Sequence, residues 1–205
     1  MLDTPEAFYW MGFLLADGCF CNNRLVLTLS IKDSNHLYKF AKFINYTGMI
    51  RVTDKSISIA YKDIDTVSKI KEKFDIKDKK TYNPPNTILK FNIDLTYALL
   101  AGFIDGDGSI KNQFNRKDFY LTIKNHSSWI SILKEFNNMI SDKNLTRLNS
   151  SGYANLVISN TEDLKKLKIK ILSLNIPILT RKWDIINLNY TSKYVIASRL
   201  REKVL

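Results

Sequence analysis

One stretch of this chain is written twice, and the repetition constrains the fold more than any other feature. Residues 8–18 read Phe-Tyr-Trp-Met-Gly-Phe-Leu-Leu-Ala-Asp-Gly, and residues 98–108 read Ala-Leu-Leu-Ala-Gly-Phe-Ile-Asp-Gly-Asp-Gly. Each is an apolar run with small residues four apart, closed by an Asp-Gly pair. Gly12 and Ala16 share one helical face, as do Ala98, Gly102 and Gly106. Such faces let two helix backbones approach closely. Asp17 and Asp107 then emerge together at the helix ends, about 90 residues apart in the chain.

The segment after each copy is also repeated. Residues 5–16 read as a helix, with Thr4 as cap, Pro5 at the first position, Glu6 in the first turn and Gly18 as the stop. Cys19–Cys21 pairs as a hairpin, across Asn22 and Asn23, with Arg24–Lys32. In that second strand Leu25, Leu27, Leu29 and Ile31 alternate with polar and basic residues. A helix over 34–46 comes next, with Leu37, Phe40, Ala41 and Ile44 inward. A hairpin turns at Asp54-Lys55. A helix over 63–74 has Ile64, Val67, Ile70 and Phe74 inward. The charge run Lys77–Lys80 and Pro84-Pro85 then break the pattern.

The order restarts with a helix over 95–106 and a hairpin of 109–114 with 119–125, in which Phe119, Leu121 and Ile123 face inward. A helix over 128–140 carries Trp129, Ile132, Leu133 and Phe136 inward. A hairpin turns near Ser151-Gly152, a helix covers 161–174, and a helical tail covers 180–201, interrupted near Tyr190-Thr191. Laid over one another, the halves place Lys32 on Lys124, Leu37 on Trp129 and Arg51 on Arg147. The expected divisions are a first repeat at 1–77, a linker at 78–94 and a second repeat with its tail at 95–205. An internal repeat of this kind implies a pseudo-two-fold monomer.

Composition narrows the partners. Lys and Arg number 31 against 20 Asp and Glu, a net charge of +11. A folded chain this basic meets a polyanion, with nucleic acid first and a membrane surface second. The basic residues are spread over strands and loops, which argues against a membrane-surface helix. The apolar runs are too short to span a bilayer, and residues 1–7 lack the basic start of a secretory signal. Cys19 and Cys21 are the two cysteines and His36 and His126 the two histidines. The reading is therefore two free thiols in a reducing compartment rather than a zinc site.

Trp10–Gly18 and Leu100–Gly108 stand on the nine positions of a known motif, and the chain resembles the LAGLIDADG homing endonucleases. The second copy is a close match. The first has Leu15 at the acidic sixth position and looser residues at Trp10 and Met11. The eighth position, the family's catalytic carboxylate, is kept as Asp17 and Asp107. The resemblance covers essentially the whole chain. It implies an α+β fold of two pseudo-symmetric αββαββα repeats packed through the motif helices, each with a four-stranded antiparallel saddle. It also implies a site-specific, metal-dependent endonuclease that makes a double-strand break by phosphodiester hydrolysis.

The helix ends dictate the chemistry. Two carboxylates at two negative helix termini repel each other and a phosphate, and a divalent cation resolves the conflict. Mg²⁺ suits Asp17, Asp107, the backbone carbonyls of Ala16 and Gly106, water and phosphate, with two or more ions per active centre. The resemblance places a Lys downstream of each unit's third helix: Lys182 in the second half and Lys80, or else Lys79, in the first. Lys32 and Lys124 fall near a position that is often polar or basic in the family and orders water there.

The outward strand faces should read DNA. The candidates are Arg24, Thr28, Ser30, Arg51, Thr53, Ser58, Arg116, Tyr120, Thr122, Arg147 and Asn155, extended by loop residues Asn22, Asn23, Lys111, Asn112, Gln113 and Lys117. The expected partner is a long double-stranded target, asymmetric because the halves have diverged, in an organellar, bacterial or phage setting. A splicing maturase acting on its own intron RNA is the alternative, and the retained Asp17 and Asp107 argue against it. A non-cutting regulator would bring an added DNA-binding domain, for which no room remains.

Overall fold

Thirteen residues from Pro5 to Asp17 form the first helix, α1, in a computed structural model that describes residues 2–21, 23–112 and 119–189. Thr4 caps it by accepting the Ala7 amide at 3.2 Å. Then come β1 (Gly18–Cys21), β2 (Arg24–Ser30), α2 (Ser34–Phe43), β3 (Arg51–Val52), β4 (Ser56–Tyr61) and α3 (Ile64–Lys73). Residues 74–92 connect the halves without helix or strand. The series repeats as α4 (Ile93–Asp107), β5 (Gly108–Asn112), β6 (Phe119–His126), α5 (Ile130–Ile140), β7 (Thr146–Leu148), β8 (Tyr153–Ile158) and α6 (Thr161–Ser173), with a short α7 (Thr180–Trp183) after it. The fold is α+β, two αββαββα units. The antiparallel sheets have the orders β1-β2-β4-β3 and β5-β6-β8-β7.

The two motif helices form the centre. α1 is buried on every side from Ala7 to Leu15, and α4 from Ala98 to Asp105. A helix that is apolar all round must be covered all round. Each covers the other, and the sheets close the remainder through Leu25, Leu27, Ile57 and Ile59 in one half and Leu121, Ile123, Leu156 and Ile158 in the other. Among the described residues no helix is long and apolar enough to cross a membrane.

Several expected boundaries move, for local reasons. β2 ends at Ser30, because the Ser30 hydroxyl caps a 3₁₀ turn over Ile31–Asp33. Lys32 therefore lies in a turn and not at a strand end. α2 stops at Phe43, and Asn45, at φ 49°, turns the chain away in the left-handed conformation that asparagine tolerates. Ile64 is 55% exposed at the first position of α3, off the inward stripe. Of the expected tail helix over 180–201, the described residues are helical over Thr180–Trp183, and residues 190–201 lie outside the described residues. The chain then turns so that Ile186 is buried, with its carbonyl accepting from Lys168 Nζ at 2.9 Å. The interruption expected near Tyr190-Thr191 lies outside the described residues.

The strand registers give the true equivalence of the halves. Leu27 lies opposite Gly18, and Ile123 lies opposite Gly108. Thr28 therefore matches Lys124, and Lys32 matches Ser128. The sequence overlay of Lys32 on Lys124 and of Leu37 on Trp129 slips by four residues, so that Leu37 matches Leu133. Arg51 and Arg147 keep their match, opposite Ser58 and Asn155.

Candidate active centre at the ends of the paired helices

Glycine sets how closely the helices meet. A Cβ built on Gly12 would lie 1.8 Å from the Leu99 carbonyl oxygen, and one on Gly102 would lie 1.8 Å from that of Tyr9. One turn on, a Cβ on Gly106 would lie 2.3 Å from the Ala16 Cβ and 3.5 Å from Asp17 Oδ2. Backbone contact along this face brings both C-terminal ends, and both aspartates, to one place.

Desolvation raises the pKa of Asp17 from its ordinary value, with Lys182 and then Lys80 pulling the other way. Asp107 is pushed up to about 6, first by desolvation and then by the charge of Asp17. The site thus holds two like charges that resist ionising together, as a cation site does before its cation binds. The oxygen-only donors suit a hard divalent ion. Among the described residues no cluster of three or more acidic, histidine or cysteine side chains provides a fuller cage.

Two lysines reach in from the segments that follow α3 and α6. Lys80 Nζ donates to the carbonyls of Leu15 at 2.7 Å and Ala16 at 2.8 Å. Lys182 Nζ faces the carbonyls of Ile104 (3.1 Å), Asp105, Gly106 (3.2 Å) and Gly108 (2.8 Å). Each ammonium thus caps the negative end of its own motif helix. Burial lowers the pKa of both, and nearby aspartates oppose that. The Ala16 and Gly106 carbonyls, expected as metal ligands, are engaged by these lysines in this arrangement.

The lysine segments are held by the opposite half. Arg181 makes a bidentate pair with Asp33 of the first half, at 2.7 and 2.6 Å. The Thr81 carbonyl accepts from Ser128 Oγ at 2.9 Å and Trp129 Nε1 at 3.1 Å in the second half. Lys79, the alternative to Lys80, is exposed with φ 54° and serves the turn.

The structure does not bring Lys32 or Lys124 to the aspartates. Lys32 is exposed in its 3₁₀ turn. Lys124 sits on the outer sheet face, its ammonium 4.2 Å from the centre of the Tyr153 ring. Alternation along β6 turns the next residue inward instead. Asn125 Nδ2 donates to Asp107 Oδ2 at 2.9 Å. The signal for Asn125 was available in the alternation, but the four-residue slip hid it.

A second group was also missed. Asp105, 2% exposed, accepts Trp183 Nε1 at 2.8 Å on one oxygen. Its other oxygen accepts the Leu179 amide at 2.7 Å and the Tyr9 hydroxyl at 2.8 Å. Tyr9 is in turn 2.8 Å from His36 Nε2. With its own proton given to Asp105, the tyrosine oxygen accepts, so His36 carries its proton on Nε2. Burial holds His36 down at about 4 and pushes Asp105 up to about 6. The acidic sixth motif position was its only sequence signal.

The nucleic-acid candidates fall into cross-strand rows on the faces away from the helices. Thr28, Ser58 and Arg51 are neighbours across β2, β4 and β3. Lys124, Asn155 and Arg147 are their counterparts across β6, β8 and β7. Thr122 lies opposite Ser109 and Val157, Tyr120 lies opposite Lys111, and Arg24 is exposed opposite Cys21. Ser30 caps its turn. The Thr53 hydroxyl is turned onto Ser56 of its own hairpin, so both are partly occupied locally. Asn23, Lys111 and Asn112 are exposed. Asn22, Gln113, Arg116 and Lys117 lie outside the described residues.

No protein-family model and no curated protein sequence matches the chain. Solved structures do. A mutant of I-SmaMI superposes with a TM-score of 0.65 at 15% identity, covering 89% of this chain and 88% of that one. The LAGLIDADG homing endonuclease I-GzeII, in complex with its DNA target, gives 0.64 at 14% identity, over 98% and 92%. I-SmaMI bound to uncleaved DNA in the presence of calcium ions gives 0.60 at 14% identity, over 86% of each chain. The chain has the fold of the LAGLIDADG homing endonucleases.

Proposed function

We propose that this chain, built on the LAGLIDADG fold, is a Mg²⁺-dependent, site-specific DNA endonuclease that makes a double-strand break in a long asymmetric target. The observation that carries the reading is the meeting of Asp17, Asp107, Lys80 and Lys182 at the ends of two helices pressed together through glycine. Nothing in the packing of a core requires two carboxylates and two ammonium groups there. The polar, basic sheet faces on either side supply a surface for duplex DNA. Both motif copies lie in one chain, which supports action as a monomer on a non-palindromic site of the kind an intron-borne endonuclease recognises.

Asp17 and Asp107 would hold the divalent ions, which supply positive charge at the scissile phosphates and make water a better nucleophile. The protein's own groups do the rest. Asn125 fixes one oxygen of Asp107 and leaves the other for a ligand. Lys80 and Lys182, pinned by backbone carbonyls, offset the paired negative charge, and Lys80, with two carbonyl partners, keeps one N–H with which to orient the attacking water. In each cut, water adds to phosphorus as one phosphorus–oxygen ester bond breaks, and the departing oxygen leaves as a hydroxyl. Two such centres side by side suit two cuts close together.

The test is cleavage of a randomised duplex library with Mg²⁺, followed by sequencing of the ends. Recurrent paired cuts at one site support the proposal. A folded protein that binds a duplex target yet never cuts it with Mg²⁺ or Mn²⁺ overturns it. Tighter binding of intron RNA than of any DNA would favour the maturase alternative.

A further inference from the structure

We propose that Asp105 is a positioning residue for Lys182, present in one half only, and that it makes the two strand-cutting centres unequal. The inference rests on the endonuclease reading for its consequence but not for its geometry. Two of the three Asp105 donors bracket Lys182 in sequence: the Leu179 amide lies three residues before it and the Trp183 indole one residue after, while the third is the Tyr9 hydroxyl of α1. One buried carboxylate therefore ties both ends of the short segment Leu179–Trp183, from which Lys182 meets the end of α4. A carboxylate accepting three hydrogen bonds in a site closed to water cannot be replaced by solvent.

Among the described residues the first half has no such anchor. Leu15 occupies the matching motif position, 2% exposed, and its side chain has nothing to accept with. The Lys80 segment is held instead through the Thr81 backbone carbonyl, by Ser128 and Trp129. Lys182 faces four carbonyls and Lys80 two. A change at Asp105 should loosen Lys182 without loosening Lys80.

The experiment compares wild type with Asp105→Asn and Asp105→Leu, the latter copying the first half, in two readouts. Without DNA or metal, hydrogen exchange at the Leu179 amide and the Trp183 indole should quicken by about 10-fold or more, with the Leu27 amide unchanged. On an end-labelled target with Mg²⁺, one strand should be cut about 10-fold more slowly while the other stays within about 3-fold, so that nicked duplex accumulates. Equal slowing of both strands, or exchange that quickens at Leu27 too, would make Asp105 merely structural and overturn the proposal. Unchanged exchange at Leu179 and Trp183 would also overturn it. Should both variants fail to fold, Trp183→Phe, which removes one donor and keeps a ring, faces the same criteria. If the wild type cuts no DNA, the endonuclease reading fails, and the exchange readout alone decides the anchoring.

Discussion

Gly12 and Gly102 face each other across the crossing of α1 and α4, each lying where the other helix's backbone leaves no room for a Cβ. The obstructing atoms are carbonyl oxygens of Leu99 and Tyr9, 1.8 Å from the built Cβ positions. Backbone cannot rotate aside as a side-chain tip can, and both helices are buried on all other sides. Gly12→Ala or Gly102→Ala should force the helices apart and cost about 3 kcal/mol or more. Thermal unfolding followed by circular dichroism checks this. A variant melting within a degree or two of wild type would mean that the helices do not pack as described.

The paired aspartates should make the metal-free protein less stable at neutral pH. Asp107 titrates near 6 in the folded chain against an ordinary value of 3.8. Between these values the folded state binds more protons than the unfolded, so stability falls as pH rises from about 4 to about 6 and stays lower above. Asp107→Asn removes the penalty and should stabilise the metal-free protein at pH 7 by roughly 1–3 kcal/mol, with the gain vanishing below about pH 4. Melting temperature against pH, with chelator present, measures it. His36, held at about 4, acts in the opposite sense, losing stability as pH falls from 6.5 toward 4. The comparison must therefore be between variant and wild type at each pH. The same substitution should abolish double-strand cleavage while leaving DNA affinity largely intact.

Lys80 and Lys182 contact backbone, not each other's segments, and each is partly buried. Their removal should therefore be felt in the rate more than in affinity. Lys182→Met or Lys80→Met, which keeps most of the stem, should slow single-turnover cleavage by about 100-fold or more. Target affinity in Ca²⁺ should change by no more than about 3-fold. A gel-shift titration beside the cleavage time course separates the two. Weakened binding at an unchanged rate would make that lysine a phosphate anchor.

The motif helices were legible because burial on all sides leaves an unbroken apolar run, and the strands because one wet face leaves alternation. Lys80 and Lys182 came from the resemblance, not from the residues themselves, and nothing local marks them as facing carbonyls of a distant helix. Lys32 and Lys124 were misplaced because overlaying the halves without their cross-strand register leaves a four-residue slip between that pair and the Arg51–Arg147 pair. Asp105 stood only as a motif letter, and His36 only as one of two histidines in the argument against a zinc site. Their network spans Tyr9, Leu179 and Trp183, contacts that exist only once the halves pack.

Arg51 and Arg147 hold equivalent positions in the two outer rows, one beside Ser58 and Thr28, the other beside Asn155 and Lys124. Both are exposed on short edge strands. With a net charge of +11, binding to duplex DNA should weaken steeply with salt as condensed counterions are released. The two arginines can contribute in either of two ways. An arginine forked onto a guanine edge should, when changed to Ala, cost about 1–3 kcal/mol on the preferred target and relax preference at one base pair. An arginine on phosphate should weaken all targets alike and flatten the salt slope by about 1. The neighbours favour base reading: Ser58 and Asn155 present adaptable donors and acceptors beside the guanidinium, as a groove-reading row requires. Arg51→Ala and Arg147→Ala should thus relax two separate positions, one in each half of the target. Affinity measured on single-substitution target panels at two salt concentrations decides it. A uniform loss across the panel for both variants would move the reading surface elsewhere.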